Sequence, residues 1–405
     1  MNPPSAAPSD GRHPDPAVPP IDAPTELLGG LSPREFMVRH WQREPLLVRQ
    51  ALPGVQPPIS RAELMRMTER DDVESRLIVR ERRDGGGDRD GWQLERGPIA
   101  RRRLPPFKRP DWTVLVQGLD HHVEAAQALL HRFRFIAQAR LDDLMISWAA
   151  EGGGVGPHFD SYDVFLIQVA GRRRWRIGRM PDARLREGVP IKIIRDFVPE
   201  QTWVLEPGDM LYLPPGWAHD GDAVDGECMT CSVGFRAPRE GELARETLLR
   251  LADAVEDDGE ATHPTLYADP GQPPTREPGR IPAGLADFAR RALRRALDEP
   301  GALERALGEY LSEPKPGVTF EIGDPLPEGC GVRLDARSRM LYDDGHVFLN
   351  GDAWHAAGED AAALRHLADA RHLDAAAVAR ASPALRELLE QWCDDGWVQP
   401  AWPAT

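Results

Sequence analysis

The chain has 405 residues, 41% hydrophobic and 28% charged, with a net charge of −15 at neutral pH. That length exceeds one ordinary compact core and predicts two or three domains, and no apolar run approaches the ~18 residues needed to span a bilayer, so no membrane-spanning segment is expected. The acidic balance disfavours a general binder of nucleic acid or anionic membrane and suits a basic protein partner, while four cysteines make no disulfide framework and agree with a reducing cytoplasm.

Residues 1–24 hold eight prolines without the basic, apolar and small-residue order of a secretory signal, and are expected to be a disordered tail. In "SPREFMVRHWQREPLLVRQ", Ser32 stands as an N-cap with Pro33 at the first helical position, and the helix ends before Pro45. Residues 83–91, "RDGGGDRDG", form a loop by their glycine and charge content, and 121–136 reads as a helix with Val123, Leu129, Leu130 and Phe133 inward. From 141 to 236 the periodicity changes. Short apolar or alternating runs ("LDDLMISWA", "DVFLIQVA", "RRRWRIG", "TWVLEPGDMLYLP", "CMTCSVGFR") are separated by Gly, Pro or Asp, which predicts a sandwich or barrel of antiparallel strands. Beyond "RAPRE" the pattern is helical, with Leu243, Leu248, Leu249, Leu251 and Ala252 on one face of a segment ending in "EDDGE". A Pro- and Gly-rich connection (269–282) leads to a helix over 284–312 carrying Phe288, Leu293 and Leu297, and the last ninety or so residues read as a small α+β module with a hairpin at Asp344-Gly345.

Alternate residues of a strand point the same way, so His158 and Asp160 can present an imidazole and a carboxylate to one point. A lone His-x-Asp occurs often by chance and two ligands make no site. The third candidate is His219, in "EPGDMLYLPPGWAH", where Pro207-Gly208 suits a turn and a strand leads into a Pro-Pro-Gly corner. His158 follows a glycine-rich turn, and the intervening runs read as hairpins able to bring the two segments side by side. Two histidines and a carboxylate on a barrel face form the facial triad suited to non-haem Fe(II), with three positions left for a co-substrate and oxygen.

If "RRRWRIG" is a strand after a turn at Ala170-Gly171, then Arg172, Arg174 and Arg176 share one face, and Arg173, Trp175 and Ile177 the other. A buried guanidinium needs a partner, usually a carboxylate held bidentately. No acidic residue is obvious on the facing strand. Parity alone leaves open both a ligand carboxylate and a solvated arginine beside the turn.

The assembly "DDLMISWAAEGGGVGPHFDSYDVFLIQVAGRRRWRIG", with "PGDMLYLPPGWAHDG" and "SVGFRAP" after it, closely resembles the bacterial ribosomal oxygenases, cupin-type enzymes of the JmjC class. The resemblance runs in motifs from about residue 27 to 237. It implies an α+β protein with a double-stranded β-helix (jelly-roll) catalytic domain over 25–238, a helical dimerisation region over 239–315 and a winged-helix-like domain over 316–405. It implies an Fe(II)- and 2-oxoglutarate-dependent dioxygenase that hydroxylates a ribosomal protein, in the family's bacterial archetype an arginine at its β-carbon in the large subunit, with oxygen as second co-substrate. Carried across by position, the iron ligands fall on His158, Asp160 and His219, and the basic anchor of the distal 2-oxoglutarate carboxylate falls on Arg173. Hydroxyl contacts to the same co-substrate fall on Ser147 and Ser232, where an ordinary strand serine is the alternative. The same resemblance implies a homodimer, in the cytoplasm that the cysteine content and the lack of a secretory signal predict. Relatives that hydroxylate histidine share the triad but carry Lys at the anchor, and a non-catalytic cupin is the rival of another class.

Cys228-Met229-Thr230-Cys231 has redox or zinc spacing, yet residues three apart on a strand face opposite sides, and Cys330 and Cys393 belong to another domain. His121, His122 and His263 lack partners at ligand spacing. The arginine runs at 101–103 and 172–174 adjoin apolar residues, and from Pro316 to Thr405 seven Arg and no Lys stand against fifteen Asp and Glu, 7 − 15 = −8, which disfavours phosphate binding by the C-terminal module.

Overall fold

A computed structural model describes residues 20–83, 90–257 and 266–402. The expected tail up to residue 19, the centre of the 83–91 loop, the "EDDGE" segment past residue 257 and His263 lie outside the described residues. The chain forms two compact units, one up to Ala237 and one from Pro238.

In the first unit, α1 (Pro33–Arg39) begins at Ser32, whose hydroxyl accepts from the Glu35 N–H while the Glu35 carboxylate accepts from the Ser32 N–H. This reciprocal cap satisfies amides the first turn leaves without helical partners. There follow β1 (Leu46–Val48), α2 (Arg61–Met67), β2 (Ser75–Glu81), β3 (Gly91–Arg96), β4 (Trp112–Val116), α3 (Glu124–His131), β5 (Leu141–Ala149), β6 (Val164–Arg179), β7 (Gln201–Leu205), β8 (Met210–Leu213) and β9 (Trp217–Phe235). The helix expected over 121–136 is thus confined to α3, preceded by a 3-10 turn over Leu119–His121 that Gly118 opens in the left-handed region.

All nine strands join one antiparallel sheet, in the order β1-β8-β6-β9-β5-β4-β2-β3 with β7 added to β6. The sheet folds on itself because β6 and β9 are long, 16 and 19 residues. The first half of β6 pairs with β8 on one side and the end of β9 on the other; its second half pairs with β7 and the start of β9. Two facing layers sharing two bent strands make a double-stranded β-helix. Outside it, α1, α2 and α3 pack on an aromatic core that includes Phe36, Trp41, Phe133, Phe165 and Phe235. Inside it, Val164, Leu166, Trp175, Ile177, Leu205, Leu211 and Leu213 fill the space between layers.

The turn anticipated at Ala170-Gly171 is a kink within continuous β6. Gly171 has φ +61°, and pairing with β9 resumes at Arg172 after a register shift. One bulged residue bends a strand without reversing it. On the outer face beyond the kink, Arg174 and Arg176 lie opposite Asp222 and Asp220, with ion pairs of 2.5 and 2.7 Å, and Arg172 pairs with Asp225. This run is a neutralised charge ladder and not a basic patch.

The second unit comprises α4 (Glu240–Asp257), α5 (Ala283–Asp298), α6 (Ala302–Ser312), β10 (Gly331–Leu334), β11 (Met340–Tyr342), β12 (His346–Leu349), β13 (Asp352–His355), α7 (Gly358–Ala370), β14 (His372–Leu373), α8 (Ala375–Arg380), α9 (Pro383–Asp394) and β15 (Val398–Ala401). Two three-stranded sheets, β14-β10-β15 and β11-β12-β13, pack with α7, α8 and α9 around Trp392, Leu364, Leu367 and Val332. The hairpin expected at Asp344-Gly345 joins β11 to β12. The single helix expected over 284–312 is two, because Pro300 has no N–H to donate and Gly301 takes φ +78°. On α4, Leu251 is buried while Leu248 and Leu249 are exposed. Leu249 lies more than half a turn from Leu251, so those leucines do not form one face.

Candidate metal centre

Gly152–Gly156 carries the chain from β5 across the mouth of the barrel. A Cβ on Gly153 would overlap the Trp112 carbonyl, and one on Gly154 the Gly221 carbonyl. Only glycine lets the backbone pass between the edge of β4 and the start of β9. The passage delivers His158 opposite His219, where the two residues exchange backbone hydrogen bonds of 3.0 and 2.7 Å and their rings stand 4.2 Å apart. His219 is the third residue of β9, while His158 makes an isolated bridge and Asp160 lies in the irregular chain two residues after it.

Each imidazole is fixed in the same way. His158 Nδ1–H donates to the Gly156 carbonyl at 2.9 Å and His219 Nδ1–H to the Trp217 carbonyl at 3.0 Å. With Nδ1 carrying the proton, each Nε2 keeps its lone pair for a metal, and the backbone carbonyl sets the ring's angle. Burial, with the neighbouring His158, pushes the His219 pKa down to about 4, so its ring is neutral, the form that binds metal. The Asp160 carboxylate is 3.7 Å from His219 Nε2, and one ligand atom from each of the three residues lies within 4.8 Å of the others. Ligands bound at about 2.1 Å on adjacent octahedral vertices stand about 3 Å apart, within reach of a small side-chain adjustment. Among the described residues, no other group of three His, Cys, Asp or Glu side chains is so arranged.

Arg173 is 3% exposed on the interior of β6. Its Nη1 donates to the Ser147 hydroxyl at 3.3 Å and its Nη2 to the Gly221 carbonyl at 3.1 Å, its guanidinium lies 4.9 Å from the Trp175 ring centroid, and its Nε has no partner. No carboxylate among the described residues lies within 4 Å of it. Such a cation, with its Nε–H unspent, suits a ligand anion. Ser147 and Arg173 are therefore together. Ser232 is buried farther along β9, opposite Met145 and Leu166, and makes no hydrogen bond to Arg173.

Cys228 faces the interior with Ala149 and Ala223, and Cys231 the outer core, so the pair forms no redox or zinc site. Burial raises the Cys228 thiol pKa and Arg173 works against it. Sequence reasoning missed this neighbour, and also Gln168 and Thr230, which hydrogen-bond each other at 2.9 Å; the Thr230 carbonyl accepts at 3.4 Å from the Ser147 hydroxyl that meets Arg173. Counting faces along β9 could not reveal them, because Asp225 and Gly226 interrupt the strand at positive φ.

A double-stranded β-helix that gathers His-x-Asp and a distant His around one point, beside a buried arginine without a carboxylate, defines a JmjC-type oxygenase. Residues 128–243 match the JmjC domain family and residues 292–399 the ROXA-like winged helix. Over 332 residues the chain is 34% identical to the ribosomal protein uL16 3-hydroxylase of Escherichia coli, covering 78% of this chain and 84% of that one. A probable ribosomal oxygenase of Haemophilus influenzae is 28% identical over 404 residues, 91% of this chain and 96% of its own. The structure of YcfD, a ribosomal oxygenase from Escherichia coli, in complex with cobalt and 2-oxoglutarate aligns at a TM-score of 0.75 and 30% identity, covering 91% of this chain and 98% of that one. The chain belongs to the ribosomal oxygenase family. It is a 2-oxoglutarate-dependent dioxygenase that requires Fe(II).

Proposed function

We propose that the chain hydroxylates the β-carbon of an arginine in ribosomal protein uL16, with His158, Asp160 and His219 holding Fe(II) and Arg173 holding the distal carboxylate of 2-oxoglutarate. Ser147 and Ser232 supply hydroxyl contacts to that co-substrate. The observation that carries this reading is Arg173, buried, without a carboxylate partner, and on the same barrel interior as three convergent ligand atoms. With iron bound, the centre supplies oxidation of 2-oxoglutarate by dioxygen to succinate and carbon dioxide, coupled to insertion of one oxygen atom into a substrate C–H bond.

The protein's part is to orient and to exclude water. The two Nδ1–H···carbonyl bonds hold both Nε2 atoms toward the metal, and the Arg173 fork fixes the far end of the co-substrate. Trp175, Ile177 and Leu205, all under 5% exposed, keep water from the interior. No side-chain acid or base is needed.

The substrate follows from the Escherichia coli relative's name and from charge: a protein of −15 attracts a basic ribosomal protein. The proposed division is a catalytic domain over 25–238, a dimerisation region over 239–315 and a winged-helix-like domain over 316–405 that helps hold the basic substrate and does not bind nucleic acid. A homodimer is supported by the exposed Leu248, Leu249 and Val255 of α4 and Leu293 and Leu297 of α5, apolar residues without a cover in the single chain, and a cytoplasmic location by the ribosomal substrate named for the Escherichia coli relative.

The test is iron reconstitution under anaerobic conditions, then turnover in air with 2-oxoglutarate and uL16. Succinate and a mass gain of one oxygen atom on an arginine are expected. Iron-loaded protein yielding neither would falsify the proposal, and fragment masses assigning the oxygen to a histidine would move the chain to the histidyl hydroxylases.

A further inference from the structure

The interior face of β6 changes parity along the strand. Val164 and Leu166 point inward while Phe165, Ile167 and Val169 pack in the outer core; beyond the kink, Trp175 and Ile177 are the inward residues. An uninterrupted strand keeps one parity, so without the kink Arg172 and Arg174 would face the interior and Arg173 the outside. The switch falls at residues 169–171, where the register against β9 shifts on both sides of Ala170. β9 switches at the same level, from Ala223 inward to Cys228 inward, through Asp225 at φ +58° and Gly226 at φ +117°. A Cβ on Gly171 would overlap the Glu227 carbonyl, so the two bulges nest.

One side chain spans the switch. Gln168 is fully buried; its Nε2 donates to the Ala170 carbonyl at 2.7 Å and the Gly171 carbonyl at 3.2 Å, and its Oε1 accepts from the Thr230 hydroxyl of β9 at 2.9 Å. A buried polar pair contributes little over an apolar pair of similar volume for packing alone, but it ties the bulged carbonyls of β6 to a fixed position on β9.

We infer that Gln168 and Thr230 are positioning residues for co-substrate binding: their strap holds β6 in the phase that turns the Arg173 guanidinium inward, toward the metal ligands. This rests on the reading of Arg173 as the 2-oxoglutarate anchor. Neither residue touches the reacting atoms.

The test titrates 2-oxoglutarate calorimetrically into cobalt-loaded, full-length Gln168→Met, Thr230→Val, Thr230→Ser and Arg173→Ala proteins, with cobalt affinity measured separately. A misplacement of about 1 Å costs on the order of a hundredfold, so Gln168→Met is expected to weaken 2-oxoglutarate by tens of fold. Losing one hydrogen bond weakens it by about tenfold in Thr230→Val, with cobalt affinity changed by about twofold at most, and Thr230→Ser restores it. Gln168→Met and Thr230→Val binding 2-oxoglutarate normally while Arg173→Ala does not would overturn the strap alone. Parallel loss of cobalt and 2-oxoglutarate would overturn it too, marking a general defect. Arg173→Ala binding normally would overturn the anchor itself, and the strap with it. If Gln168→Met does not fold, Thr230→Val decides, since it exchanges only a hydroxyl for a methyl group.

Discussion

Arg173 meets the Ser147 hydroxyl and the Gly221 carbonyl with separate nitrogens of one planar group. A lysine brings the charge but not the fork, so Arg173→Lys is expected to raise the KM for 2-oxoglutarate by about tenfold or more while kcat changes less, read from initial rates against co-substrate concentration. Gly154 acts on the other half of the site. A side chain there drives into the Gly221 carbonyl and displaces the chain that delivers His158. Gly154→Ala is expected to lower metal affinity by about tenfold or more, since the histidine's orientation is lost with its support, as measured by competition with a chromogenic chelator.

At the scale of elements, what was legible in the sequence was whatever depends on neighbours in the chain. Ser32 with Pro33 marked the start of α1, and parity within "RRRWRIG" put Arg173 inward because β6 is regular beyond its kink. The same counting carried back through Gly171 to Val164 gives the wrong face, since a bulge leaves no trace in hydrophobic period. The bringing together of His158 and His219 was legible from the hairpin-like runs between them, whereas the Gln168–Thr230 bond depends on a register that only the folded sheet sets. In the second unit, Asp335 at the end of β10 shows how a short sheet is tied. Burial opposes its ionisation, and hydrogen bonds from the Arg337 guanidinium at 2.7 Å and backbone N–H at 3.0 Å outweigh it, holding its pKa below the ordinary value. Gln399 of β15 donates to its other oxygen at 2.8 Å. The unfolded chain protonates this group near pH ~3.9 and the folded chain lower, so its stabilisation is complete above that pH and is lost as pH falls through the depressed value. Asp335→Asn is expected to cost about 2 kcal/mol at neutral pH and to flatten the acid limb, measured by urea unfolding at neutral and acid pH.

For the whole molecule, the exposed leucines of α4 and α5 separate association from folding. Leu248→Glu with Leu293→Glu is expected to convert the proposed dimer to monomer by light scattering with little change in Tm, because both positions are more than half exposed in the single chain. The net charge of −15 predicts that affinity for basic uL16 falls as salt rises, while affinity for 2-oxoglutarate, set in a buried site, changes less. The Gly221 carbonyl has one more consequence. It stands two residues beyond His219 on β9, so the group that receives Arg173 and the imidazole aimed at the metal are spaced by two residues of paired backbone. In the proposed geometry those residues act as a calliper closed on the two ends of the co-substrate: a 2-oxo diacid one methylene shorter or longer reaches one jaw and misses the other, and chain-length selectivity is built into the stiffness of the strand.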